Sequence, residues 1–227
     1  MHAGGIADKV GNRYEALWLI RHLVELIDGR ATTIRIEVIG DEGAGFEFAV
    51  DRPSHTEWHQ CKRQTSGSWT VNRLASEGVL TNFKTKVESS VSDTCVFVST
   101  DPAKAMKLLK EKLPTAPDIE AFEASLSVQE QTDWQNLKHQ LELPADRSLE
   151  WLARCEFRTI EETELTSSLL AELGRIGRAA RDVPADHGGV MGDDPLFAQR
   201  LARLKLEAEA FEITELRILA DLARGRP

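Results

Sequence analysis

The chain is poor in the features that staple or anchor a protein. Its 227 residues hold only three cysteines, Cys61, Cys95 and Cys155, odd in number, far apart and without CxxC spacing. That excludes a disulfide framework and a cysteine zinc cluster, and it predicts a reducing, cytoplasmic compartment. No run of about 18 apolar residues occurs, so no membrane-spanning helix and no membrane partner are expected. The opening "MHAGGIADKVGNRY" lacks the basic-then-apolar layout of an export signal. His22, His55, His59, His139 and His187 have no paired spacing for zinc and read as structural or exposed. A GxxxxGK(S/T) phosphate loop and a GxSxG elbow are both missing, which removes an ATPase of that type and an α/β-hydrolase serine site.

A net charge of −9 also counts against a nucleic-acid binder, because that affinity rests on neutralising phosphates. The charge is unevenly spread, however. Between Trp58 and Lys112 there are nine Lys or Arg against five Asp or Glu, a surplus of four positive charges, which leaves −13 on the remainder. A basic segment on an acidic body fits a phosphate-facing surface beside a protein-facing one.

The length allows one domain with a buried core and a helical extension. Over 12–28, Leu17, Ile20, Leu23, Val24 and Ile27 recur at helical spacing, with Glu15 on the border of the apolar arc. Three strands follow, at 32–40, 45–51 and 56–64, close enough in sequence to form an antiparallel meander. One or two helices are expected over 69–90, then a buried strand, "TCVFVST", at 94–100. Asp101 and Pro102 are read as the N-cap and first residue of a helix running to 113. Further helices, a strand at 151–160 and another helix follow. A Gly- and Pro-rich linker at 182–195 precedes a last amphipathic helix. The expected fold is α/β, a mixed sheet flanked by helices. The expected divisions are a core at 1–113, a helical extension at 114–181, the linker at 182–195 and a terminal helix at 196–227.

The polar residues of the third strand carry the chemistry. In "EWHQCKRQ" the alternation of side chains puts Gln60 and Lys62 on one face, and Glu47 projects from the preceding strand. Phosphodiester hydrolysis needs a hard cation, carboxylate and carbonyl oxygens to hold it, and an ammonium beside the nucleophile. Glu47, Gln60 and Lys62 supply those atom types. A lysine on an inner sheet face is costly unless paired, so Glu47 is also its expected partner.

An acid followed thirteen residues later by Q-x-K resembles the PD-(D/E)xK nuclease superfamily, in the variant where Gln replaces the first residue of ExK. "GGIADKVGNRYEALWLI", "EWHQCKRQ", "GVLTNFKTK" and "CVFVST" further resemble the double-stranded DNA endonuclease domain of bacterial antiphage effectors, at the N-terminus of CBASS effector nucleases and NLR-like STAND NTPases. The likeness covers roughly residues 3–175. It implies a restriction-endonuclease-like fold and Mg2+ (or Mn2+) held by Glu47 and Gln60, with Lys62 as the catalytic lysine. Glu15 matches an additional helical ligand, and Glu37 is the fallback acid. Here the family's Asp is Glu at 47, with no Pro before it. Arg63, Gln64, Arg73, Lys84 and Lys86 are the expected DNA contacts. A homo-oligomer, driven by an attached sensor or NTPase module, is the expected working form. Two alternatives stay open: a catalytically inactive nuclease fold that binds DNA or oligomerises, and an adaptor whose acidic helices bind another protein.

Overall fold

The computed structural model describes residues 4–36, 43, 45–63 and 67–179, together with residues 195, 198, 199 and 202. The expected linker at 182–195 lies outside these but for its last residue, as does nearly all of the terminal helix. The chain divides into two compact units, Gly29–Glu161 and a second made of Met1–Asp28 with Glu162–Pro227.

The larger unit is built on a five-stranded mixed sheet in the order β1-β2-β3-β4-β5. β1 (Thr33–Ile36), β2 (Phe48–Asp51) and β3 (Thr56–Lys62) form the expected antiparallel meander. β4 (Thr94–Ser99) then runs parallel to β3, and β5 (Cys155–Thr159) parallel to β4. α2 (Val71–Ser76) and α3 (Val79–Ser89) connect β3 to β4. The second crossover contains α4 (Lys104–Lys112), a 3-10 turn at Leu113–Thr115, α5 (Ile119–Ser125), α6 (Val128–Leu141) and α7 (Ala145–Arg154).

One face of the sheet carries Ala49, Trp58, Cys95 and Phe97, and residues of α2 through α7 close over it in a single core. The tryptophans of this unit, Trp58, Trp69, Trp134 and Trp151, are buried in it, as their size favours. Phe48, Val50, His59, Val96 and Val98 lie on the opposite face and are also buried. Cys61, Cys95 and Cys155 are free and buried. Cys155 faces Cys95 in register, and burial together with that neighbour pushes its thiol well up, so it stays protonated and unreactive.

Several boundaries differ from the sequence reading. The core runs through 113–114 without a break, because α5, α6, α7 and β5 complete the same sheet and helical layer. Trp151–Arg154 are helical, and the strand begins only at Cys155. α4 begins at Lys104 after Ala103, with no side-chain cap; the Asp101 N–H is held instead by Ser99 Oγ at 3.2 Å. Asp118 and Ser127 do cap α5 and α6, the latter with a reciprocal bond from Glu130.

In the second unit α1 (Gly4–Ile27) packs with α8 (Glu162–Ala179). Leu17, Trp18 and Val24 are buried, as are Leu165, Leu169 and Leu173. Arg13 reaches Glu162 at 3.1 Å and Arg175 reaches Asp28 at 2.8 Å. α1 begins eight residues before the expected start, and Ile27, expected on its apolar face, is exposed.

Arg154 is the main polar tie in the larger unit. From the end of α7 it donates to the carbonyls of Val87, Ser90 and Asp93, joining the end of α3 to the turn before β4. A planar guanidinium can serve diverging carbonyls in a way that an ammonium cannot. Arg154→Ala is expected to lower stability by about 2–4 kcal/mol in urea denaturation, and Arg154→Lys is expected to recover less than half of that loss.

Candidate functional site

β3 is the central strand, with an antiparallel neighbour on one side and a parallel one on the other. In α/β sheets, ligands collect beyond the carboxyl ends of parallel strands. Lys62 ends β3 and Ser99 ends β4, and the two are ladder partners. In a parallel ladder such partners project to the same side of the sheet.

Glu47 immediately precedes β2. Its N–H donates to the His59 carbonyl at 3.0 Å, although His59 already faces Phe48 in the ladder. Two successive residues therefore meet one, the pattern of a β-bulge. As a result Phe46 and Phe48, only two residues apart, lie on opposite faces. Phe46 packs on Trp58 and Phe83 with ring centroids 5.5 and 5.7 Å away, whereas Phe48 stacks on His59 at 4.7 Å. The Glu47 carboxylate takes the place of the next ladder acceptor, and the Cys61 N–H donates to Glu47 Oε2 at 2.9 Å. The acid is thus tied by its backbone and its side chain to both chain neighbours of Gln60. Gly45 makes the preceding turn at φ +83°, and a Cβ there would collide with the Asn82 amide, so only glycine fits.

Gln60 is 2% exposed, and its Oε1 is buried without a hydrogen-bond partner among the described residues. An orphaned buried carbonyl costs about 1–3 kcal/mol, so it calls for an explanation. Lys62 is half-buried, and among the described residues its ammonium has no ion-pair partner. The expected Lys62–Glu47 pair is not formed, because the Glu47 carboxylate bonds the Cys61 amide and Lys62 reaches far enough toward solvent to need no counter-ion. A carboxylate and an unpartnered amide oxygen are the donors that a hard divalent cation takes. The residues present therefore fit Mg2+.

Glu37 and Gln64 lie outside the described residues. Glu15 lies on α1, in the other compact unit. Arg63 and Arg73 are exposed. Lys84 and Lys86 are not placed as DNA contacts. Lys84 donates to the Leu141 carbonyl at 2.7 Å, closing the end of α6. Lys86 is 6% exposed, with its ammonium 3.5 Å from the centre of the Trp58 ring, a cation–π contact in the core. Lysines at helical spacing look alike in sequence whether they face water or a buried ring.

Sequence reasoning also passed over Ser99. Its hydroxyl accepts from Trp69 Nε1 at 2.6 Å as well as from the Asp101 N–H. The change from apolar residues to a hydroxyl at the end of "CVFVS" was the available signal.

On the other face, Glu57 collects Arg52 at 2.8 Å, with His55 and His59 each at 3.5 Å. Burial pushes its carboxyl up. The nearby His59 ring and the hydrogen bond from Arg52, with their charges, outweigh that and hold it well below the usual carboxylate range.

No family model, no curated protein and no solved structure matches the chain. Among the described residues no helix is long and apolar enough to cross a membrane.

Because the Glu57 carboxyl is depressed by folding, its stabilisation is fully present above the unfolded value of about 4.3 and is lost as pH falls below it. Acid unfolding of Glu57→Gln, followed by tryptophan fluorescence, is expected to show a shallower loss of stability below about pH 4 than wild type.

Proposed function

We propose that this chain is a metal-dependent endonuclease of PD-(D/E)xK type, acting on double-stranded DNA as the effector domain of an antiphage defence protein. The observation that carries this reading is the Oε1 of Gln60, buried and without a partner among the described residues, set between two residues that Glu47 grips and followed by a lysine that has no ion pair among them. A structural glutamine in a core is normally satisfied. One held for an ion is not.

In this reading Glu47 and Gln60 hold Mg2+, with Mn2+ as a substitute. When bound, that ion supplies Lewis-acid stabilisation of charge developing on the phosphoryl group. Lys62 holds the attacking water or a phosphoryl oxygen through its ammonium. Water oxygen bonds to phosphorus, one P–O ester bond breaks, and the water's proton leaves to solvent while the departing oxygen takes a proton from solvent water. Glu47 is fixed before substrate arrives, because its bond to the Cys61 amide costs no reorganisation during the reaction.

Lys62→Ala is expected to abolish Mg2+-dependent cleavage of a plasmid while far-UV circular dichroism stays at wild type. Cleavage at the wild-type rate would place the site elsewhere. Gln60→Leu separates a metal ligand from a packing residue. It removes the orphaned carbonyl, so the metal-free protein should be as stable as wild type or up to about 2 kcal/mol more so. It should also lose cleavage and the rise in Tm that Mg2+ or Mn2+ gives wild type.

Surplus positive charge on one segment of an acidic chain also supports action as a cluster. A single copy neutralises few phosphates, and side-by-side copies raise the local concentration of the second site. Cleavage rate per chain should therefore rise steeply on fusion to a dimerising partner. A rate that stays flat would remove oligomer control from this reading.

A further inference from the structure

Beyond Lys62, the carboxyl ends of β3 and β4 are extended by two segments that are braced to each other. The segment leading into α2 contains Trp69, whose backbone N–H donates to the Pro102 carbonyl at 3.0 Å. Its indole Nε1–H donates to Ser99 Oγ at 2.6 Å. The turn between β4 and α4 is held by the same hydroxyl, through the Asp101 N–H at 3.2 Å. Ser99 and Trp69 are buried, and Ser99 is the ladder partner of Lys62. The two segments therefore keep a fixed position relative to Lys62.

Each segment carries an exposed cation beside Trp69. The Arg73 guanidinium lies 5.1 Å from the centre of the indole ring, and Thr70 accepts from the Arg73 N–H as the cap of α2. Lys104, in the first turn of α4, lines an open cleft of about 320 Å³ with Ser68, Trp69 and Thr70. Asp133 also lines that cleft and accepts from Gln129 Nε2 at 3.4 Å. Stacking on the indole narrows the positions open to Arg73, so less side-chain entropy is lost when it binds a phosphate.

We infer that Arg73 and Lys104 form a rim that grips the phosphate backbone of duplex DNA beside the bond to be cut. Trp69 and Ser99 hold that rim at a set distance from Lys62. This rests on the nuclease reading above and adds to it the surface that takes the flanking backbone. Lys104, the hydroxyls of Ser68 and Thr70 and the Gln129 amide offer donors to a polyanion in the cleft, which Trp69, Ala105, Leu108 and Asp133 also line, and the exposed Arg73 adds a second cation over the Trp69 ring. Contacts of this kind position the duplex and read no bases.

The test uses the full chain and a 30-base-pair duplex, with binding followed by fluorescence anisotropy in Ca2+ across a series of salt concentrations. Arg73→Ala and Lys104→Ala should each weaken binding and make the slope of log K against log salt shallower by about 1. Arg147→Ala, an exposed arginine on α7, should leave the slope unchanged. In cleavage with Mg2+ the two rim variants should raise KM with kcat near wild type, because they act on ground-state and transition-state binding alike. The rim is overturned if Arg73→Ala and Lys104→Ala keep the wild-type slope while Lys62→Ala still abolishes cleavage, an outcome that leaves the nuclease reading standing. A wild-type chain that neither binds nor cuts duplex DNA overturns both.

Discussion

The hydrogen bond from the Cys61 amide to the Glu47 carboxylate is the contact on which the candidate site depends. Where the β2–β3 ladder slips by one residue, β3 would lose a backbone acceptor at the point where its side chains turn polar. A carboxylate fills that place. The bond is charge-assisted and stronger than the ladder bond that it replaces. It ends the antiparallel pairing and fixes an acid beside Gln60 with one interaction. Gly45, confined by Asn82, sets the path by which the chain reaches it.

The rest of the larger unit supports that strand from behind. Trp58, two residues before Gln60 on the same face, donates from its indole to Asp93 at 2.8 Å. Its ring meets Lys86 on α3 and Arg35 on β1. Arg154 holds the turn that contains Asp93. Lys110 likewise ties α4 to β5 through the Cys155 carbonyl and through Glu156 at 3.0 Å. The strand that carries Gln60 is thus braced by side chains from three helices and three strands, so a polar group can stay buried there without local collapse. Such rigidity is what a preorganised site requires.

The basic segment divides into two classes that sequence does not separate. Lys84, Lys86 and Lys110 satisfy carbonyls, a carboxylate and a ring inside the fold. Arg63, Arg73, Lys104 and Lys107 are exposed. The local charge surplus was real, but part of it serves cohesion. What remains for a phosphate backbone is a narrower set, concentrated around Trp69 in the case of Arg73 and Lys104.

Periodicity alone determined the meander, the buried fourth strand and the helices α1, α3, α6 and α8, because apolar spacing registers directly which side of an element meets a core. The pairing of Gln60 with Lys62 on one face was likewise legible, since alternation within a strand is local. Helix starts and the true extent of the core were not. Asp101 looks like a cap, but its amide is held by Ser99. β5 reads as the end of a longer strand over 151–160, but Trp151–Arg154 finish α7. The bulge that re-aims Glu47, the orphaned oxygen of Gln60 and the bond that locks Trp69 to Ser99 arise between segments distant in sequence. Only tertiary structure could decide them, because hydrogen-bond partners and burial belong to the packed arrangement of several elements, whereas a sequence pattern records the preference of each element by itself.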